Sequence, residues 1–309
     1  MKRVCSKSTQ QNRCFTCSAL GASILGTGVR IMTSNFRKYA LAAGSAALLA
    51  MGAGSAARAE DAAAAAPAFA YTWTITGASD YMFRGVSYTQ SDPTINSYLE
   101  FTYGIGYVGL WTSNINTCGG DGCLGPWEQD VYLGIRPVTG PITWDLAALY
   151  YYYEAKGNVS SSQTDYFEFK AAGTVTPITN LSLTAAVYYT PDQDLASPEN
   201  VSIEGTVAYT LPAIGMFTPT ISGQVGYSDA STNSIYGTAA TALAGGNLGF
   251  WNGDDKYTYW NAGVKLAVEK WTLDFRYWDT SIPNAVADLS LGHENSDQRF
   301  FFSMALTLP

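Results

Sequence analysis

Leu181-Ser182-Leu183-Thr184-Ala185-Ala186-Val187-Tyr188-Tyr189-Thr190 is the stretch that decides the fold. Leu181, Leu183, Ala185, Val187 and Tyr189 occupy alternate positions, with Ser182, Thr184 and Thr190 among those between. Successive side chains on a strand point to opposite faces, so this segment has one oily and one largely polar face. Tyr71-Thr72-Trp73-Thr74-Ile75-Thr76 opens the same rhythm, which then recurs through the rest of the chain. A tilted strand crosses a bilayer in about 9–11 residues, which is the length of these segments.

Working outward from 181–190, twelve strands are predicted, near 71–83, 94–103, 107–115, 127–136, 142–153, 165–175, 181–190, 201–210, 217–227, 257–268, 271–279 and 298–308. The connectors alternate strictly. Short ones fall at Gly104–Gly106, Pro137–Pro141, Thr176–Asn180, Leu211–Met216 and Glu269-Lys270. Long ones fall at 84–93, 116–126, 154–164, 191–200, 228–256 and 280–297. Short periplasmic turns alternating with longer outer loops are the wiring of outer-membrane barrels. The fold class is therefore all-β: a transmembrane antiparallel up-and-down β-barrel of about 12 strands, preceded by a signal peptide.

Aromatic placement points the same way. On the predicted outward face, Tyr103, Tyr107, Trp144, Tyr209, Phe217 and Trp271 lie near the short-turn ends. Phe83, Trp127, Tyr150, Tyr189, Tyr227 and Tyr277 lie near the long-loop ends, with Leu99, Val131, Leu146, Leu183 and Ile221 among the aliphatics between. Rings at both rims of an aliphatic band match two lipid interfaces.

The N-terminal region reads differently. Residues 1–59 hold eight of the 17 Lys+Arg and no acid. Arg37-Lys38 precede a small-residue apolar run from Tyr39 to Ala57, which ends in Ala57-Arg58-Ala59. A basic start, an apolar run and an A-x-A site describe a secretory signal peptide, with cleavage expected after Ala59. Met32 opens a signal of ordinary form, so 1–59 reads as an N-terminal extension plus signal, with Met1 and Met32 both open as starts. Residues 60–70 form an Ala-rich spacer, and 71–309 the barrel. Beyond Ala59, nine bases face all 25 acids. Such an acidic balance excludes nucleic acid as a partner, since phosphates demand a basic surface. No apolar run reaches the roughly eighteen residues of a spanning helix.

Cys118 and Cys123 frame Gly119-Gly120-Asp121-Gly122. Three glycines let so short a ring close, and an oxidising compartment would make it a disulfide. A zinc half-site is the rival reading, without a His or second Cys pair to complete it. No metal or cofactor is expected.

Candidate chemistry lies on the inward face. By parity it carries Asp80, Glu100, Glu128, Asp130, Asp145, Glu168, Glu204 and Asp274. Arg136, Lys170, Lys265, Arg276 and Arg299 share it, with Arg84 at the outer rim. Charges of both signs can line a wet path or pair into a ladder that fills the barrel. Eight-stranded barrels are filled by side chains and those of about 16–18 strands leave a channel, so twelve strands permit either. Asp80 and Arg84 read as a pair near the mouth, with Gly85 permitting the turn that follows.

Enzyme chemistry finds little support. His293, the single histidine, sits beside Glu294 in a long loop, with no marked nucleophile. Asp192/Asp194 and Asp254/Asp255 suit Ca²⁺ by ligand type but lack the spacing of a calcium loop. Tyr150–Tyr153 reads as outer aromatic belt, with a carbohydrate-stacking platform as the rival.

Several phrases resemble the TorF-type porin family of proteobacterial outer-membrane proteins: Ser79-Asp80-Tyr81-Met82-Phe83-Arg84-Gly85-Val86-Ser87-Tyr88-Thr89, Gly109-Leu110-Trp111-Thr112-Ser113-Asn114-Ile115 and Glu128-Gln129-Asp130-Val131-Tyr132-Leu133-Gly134. Tyr188-Tyr189-Thr190-Pro191-Asp192 and Tyr277-Trp278-Asp279-Thr280 follow in the same order. The resemblance implies a bacterial outer-membrane barrel, with membrane lipid, small hydrophilic solutes and the barrel-assembly machinery as partners. Barrels of this kind commonly finish on an aromatic residue, whereas this chain carries Phe300–Phe302 and ends Leu306-Thr307-Leu308-Pro309. Passive diffusion through a narrow, mildly cation-preferring lumen is the expected activity, and a closed structural or partner-binding barrel the alternative.

Overall fold

A computed structural model describes residues 69–116, 125–154, 165–193, 199–230, 256–282 and 295–309. The N-terminal extension and signal, Cys118 and Cys123, His293, Asp194, Asp254 and Asp255 all lie outside them.

Twelve long strands form the wall: β1 (Phe69–Ala78), β4 (Thr94–Tyr103), β5 (Gly106–Asn114), β6 (Trp127–Ile135), β8 (Ile142–Tyr153), β9 (Tyr166–Ile178), β10 (Leu181–Thr190), β11 (Asn200–Thr210), β12 (Thr218–Ala230), β13 (Lys256–Val268), β14 (Trp271–Thr280) and β15 (Arg299–Leu308). Each pairs antiparallel with its neighbour, β6 bonds to β8, and β1 bonds to β15, so the sheet closes without an edge. Full closure is what removes the unpaired N–H and C=O rows of an open sheet. Three short strands complete the set: β2 (Met82–Phe83) pairs with β3 (Val86–Ser87), and β7 (Val138–Thr139) folds back on β8 at a short turn.

Short turns are tight because single residues take left-handed backbone. Gly104 (φ 59°) turns β4 into β5, and Asn180 (φ 68°) turns β9 into β10. Glycine and asparagine are the residues that tolerate this region most readily.

The two faces are inverted relative to a water-soluble domain. Leu110, Val131, Leu133, Val187, Ile221 and Met304 are exposed, while Glu100, Glu128, Glu168 and Glu204 are buried. Leu110 sits between Leu99 and Val131 on the flanking strands, which makes a continuous aliphatic band. Trp127, Tyr189 and Tyr227 border it at the long-connector end; Tyr103, Tyr209 and Trp271 border it at the short-turn end. Exposed apolar surface of this extent marks contact with something other than water.

Two aromatic assignments are corrected. Tyr107 points inward, because Val108 and Leu110 hold the outward parity, and its ring lies over Gly134 of β6. Phe83 lies inside the barrel as well. The first strand ends at Ala78 rather than 83: Ser79 donates its N–H to the Phe302 carbonyl, and the chain then turns into the lumen. The Tyr150–Tyr153 run divides by parity. Tyr152 is exposed and Tyr150 half-buried on the outward face, while Tyr151 and Tyr153 are buried against Tyr166.

Candidate functional site

The segment 79–93 folds inward as a small hairpin. At its tip, Arg84 (φ 48°) and Gly85 (φ 84°) form the two central positions of a tight turn between β2 and β3. Positive φ at both positions is the two-residue hairpin geometry, in which Asn-Gly is the usual pair. An arginine there is strained, and strain of this kind persists only where surrounding contacts hold it. Space is equally tight at Gly85: an added Cβ would come within 2.5 Å of Thr280 Cγ2 and 2.8 Å of Tyr259 Cβ.

Arg84 is therefore not at the rim, and its partner is not Asp80. It is buried, and its Nη2 donates to both carboxylate oxygens of Glu168 at 2.8 Å each. The guanidinium carbon lies 4.7 Å from the Phe83 ring centre and 4.8 Å from that of Tyr188. Glu168 also accepts from Tyr151 and Thr190 hydroxyls at 3.1 Å. Asp80 bonds elsewhere. It accepts from Ser87 (2.6 Å) and Thr89 (2.7 Å), tying the two arms of the hairpin together, and from Arg299 of β15 at 2.8 Å. A pair read from nearness in sequence thus separates into two anchors on different walls.

Packing fixes the hairpin on both sides. Met82 and Val86 bury against Tyr257, Tyr259, Trp278 and Ile282, while Tyr81 and Tyr88 pack on Trp111, Tyr151 and Tyr153. Burial of Met82 and Val86 contributes about 1.5–3 kcal/mol each. Tyr81 also donates its hydroxyl to Glu128 at 3.1 Å. Every wall residue named here sits toward the long-connector end of its strand, so the hairpin crosses the lumen at that end.

Nearer the short turns a second group bridges four strands. Arg136 makes a fork-like pair with Glu100 (2.7 and 2.8 Å) and lies over the Tyr107 ring at 3.8 Å. Lys170 pairs with Asp145 at 2.7 Å, and Arg136 approaches the same carboxylate at 3.8 Å. On the opposite wall, Asp274 pairs with Arg276 (3.2 Å) and Lys265 (3.9 Å), while Arg276 also donates to Ser222 at 3.0 Å. Asn261 bonds Gln224 beside it.

Between these groups the lumen is hollow. One cavity of about 190 Å³ runs from Tyr107, Arg136 and Asp145 up to Tyr81 and Arg84. A second of about 380 Å³ is lined in part by threonines, including Thr74, Thr206, Thr220, Thr272 and Thr307, and reaches up to Asp80 and Met82. Tyr81, Tyr98, Gln224 and Trp278 line both. Hairpin residues line the long-connector end of both cavities.

All fourteen charged positions named from the sequence are described. Thirteen belong to the walls, their turns or the hairpin base, and Arg84 is carried to the tip. What the sequence reading missed is the hairpin itself and the buried tyrosines that seat it. Among the described residues, no group of three or more His, Cys, Asp or Glu is placed to hold a metal ion.

Residues 61–307 match the model of a family described as a bacterial protein of unknown function, Gcw_chp. No curated protein sequence matches the chain. Among solved structures, similarity extends to the NanC porin (9% identity, 77% of this chain and 99% of that one, TM-score 0.47) and the KdgM porin in complex with disordered oligogalacturonate (8%, 78% and 99%, TM-score 0.45). LpxR from Salmonella typhimurium is similar over 77% of this chain and 99% of its own, at 10% identity and TM-score 0.38. None of these likenesses bears on what the lumen admits. By the extent of its match, the chain is a member of the Gcw_chp family of bacterial proteins.

Proposed function

We propose that this protein is a bacterial outer-membrane channel for small hydrophilic solutes, held shut at its outer end by its own first loop. Export follows cleavage of the signal peptide after Ala59, and the short turns face the periplasm. The apolar band then meets lipid, and Trp127, Tyr189, Tyr103 and Trp271 sit at its two interfaces. The TorF-type resemblance points in the same direction.

One observation supports the reading: the segment after β1 leaves the sheet and packs across the long-connector end of the lumen. A barrel built only for stability fills its interior with strand side chains. Here two cavities remain beneath the hairpin, where Thr, Asn, Gln and paired charges stand among aromatic rings. The β2–β3 pairing is only two residues long on each arm, so the block is a small element that can move without breaking the wall.

A second reading has its own support. Met82, Val86, Tyr81 and Tyr88 are all buried, and a plug seated so well also suits a closed structural barrel. Current across a planar bilayer separates the two. We expect rare, small steps from the intact protein, and steady conductance at least several-fold larger when residues 82–87 are replaced by a short Gly-Ser turn. A shortened barrel that folds but passes no current at high salt would contradict the channel reading.

A further inference from the structure

Around the hairpin tip the charges are unequal. Glu128, Asp130, Glu168 and Glu204 come from β6, β9 and β11, and all four are buried. Glu128 and Glu168 both lie within electrostatic reach of Asp130, and Glu168 of Glu204. Arg84 is the cation in their midst, in electrostatic contact with Glu168 and Glu204. The other cations nearby are engaged elsewhere, Lys170 on Asp145, Arg136 on Glu100 and Arg299 on Asp80. Buried carboxylates carry a large desolvation cost unless a cation or hydrogen bonds compensate it.

Arg84 supplies that cation, but it is fixed to a hairpin and not to the wall. Its seat has the parts of a guanidinium-binding site. A carboxylate presents both oxygens to one guanidinium nitrogen, two hydroxyls orient that carboxylate, and the Tyr188 ring offers its face at 4.8 Å. Among Arg84 and these four carboxylates, three buried polar atoms have no hydrogen-bond partner: Arg84 Nη1, Glu128 Oε2 and Asp130 Oδ1. The occupant leaves one donor unused while two carboxylate oxygens of the cluster remain free to accept.

We infer that the Glu168 seat is a cation site of the channel, occupied in the closed state by Arg84 as a tethered guanidinium and open to free guanidinium or alkylammonium solutes once the hairpin leaves. The inference rests on the channel reading above and specifies its solute class. Withdrawal of the hairpin removes the compensating cation and leaves four carboxylates facing water. The open pore then prefers cations, and a solute carrying a guanidinium group finds the place that Arg84 vacated. An anion meets four carboxylates there, and Lys170, the cation near Glu204, is already paired with Asp145.

The test uses the full-length protein with Arg84→Ala, and guanidinium chloride at millimolar concentration as the probe. The variant's folding is checked by its heat-dependent migration in detergent gels. In planar bilayers we expect open steps, a reversal potential that favours K⁺ over Cl⁻, and a block by guanidinium at least tenfold more potent than by Na⁺. Adding Glu168→Gln to Arg84→Ala should weaken that block at least tenfold. Open steps with no cation preference, or with a block that Glu168→Gln leaves unchanged, would overturn the cation site while leaving the channel standing. A folded Arg84→Ala protein that passes no current, alongside a silent variant with residues 82–87 replaced, would sink the channel reading and this inference with it.

Discussion

Replacing Glu168 with alanine is expected to release the hairpin. Removal of one partner from a buried ion pair leaves the other charge uncompensated, at a cost of about 3–5 kcal/mol. Every 1.4 kcal/mol is roughly tenfold in an equilibrium, so the undocked population should rise by about two to three and a half orders of magnitude. Arg84 itself reports the change, because the Arg84–Gly85 bond is a trypsin site that is buried when docked. In detergent the intact protein should resist cleavage there, and the Glu168→Ala variant should yield the fragment that starts at Gly85. The double variant Arg84→Met, Glu168→Met removes both charges and keeps the volume, so its near-ultraviolet circular dichroism should stay close to the intact protein's. Equal resistance to trypsin in Glu168→Ala would mean that apolar packing by Met82 and Val86 holds the hairpin, with the ion pair contributing little.

The second large effect concerns the outside of the wall. Leu110 is half exposed, flanked by Leu99 and Val131, and placed mid-strand. An arginine on the lipid face near the bilayer midplane costs about 2–4 kcal/mol. Leu110→Arg should therefore lower the urea midpoint in vesicles by the equivalent of that energy. Thr272→Arg places the same side chain on the inward face, where it lines the larger cavity, and should change stability by less than about 1 kcal/mol. Similar losses at both positions would mean that the outward band does not face lipid.

The wall was legible because a barrel strand carries its instructions locally. Leu181–Thr190 alternates over most of its length and stops at Pro191, Ile142 follows Pro141, and both Ile142–Tyr153 and Leu181–Thr190 have the predicted limits. The hairpin was not legible, for a physical reason. Ser79-Asp80-Tyr81-Met82-Phe83 continues the alternation that begins at Tyr71, so parity extends β1 five residues too far. Nothing in the local pattern announces that Ser79 bonds Phe302 and that the chain then leaves the sheet. Arg84-Gly85 also escapes notice as a tight turn, because arginine is a poor choice for left-handed backbone unless distant contacts hold it. Those contacts, from Glu168 and Tyr188, lie roughly a hundred residues away in sequence.

Tyr107 illustrates a signal that was present. Inward glycines face inward tyrosines across neighbouring strands at Gly134 and Tyr107, Gly109 and Tyr132, and Gly226 and Tyr259. In each pair the ring covers the space a Cβ would fill. The rule that an interior ring needs a small neighbour on the next strand would have turned Tyr107 inward. Glu168 and Glu204 were placed inside by parity alone, but their bond to a loop arginine and to Tyr259 depends on the closed barrel.

A wall whose side chains alternate between lipid and a wet interior underlies both the proposed channel and its proposed plug. Single cysteines at 145 through 149 of β8, in a chain whose own cysteines are replaced by serine, can carry a spin label one position at a time. Collision with oxygen dissolved in lipid and with a water-soluble nickel complex then reports each position's surroundings. The barrel predicts high oxygen collision at 146 and 148, high nickel collision at 145, 147 and 149, and a strict period of two. A uniform profile, or nickel collision at 146 equal to that at 145, would contradict it.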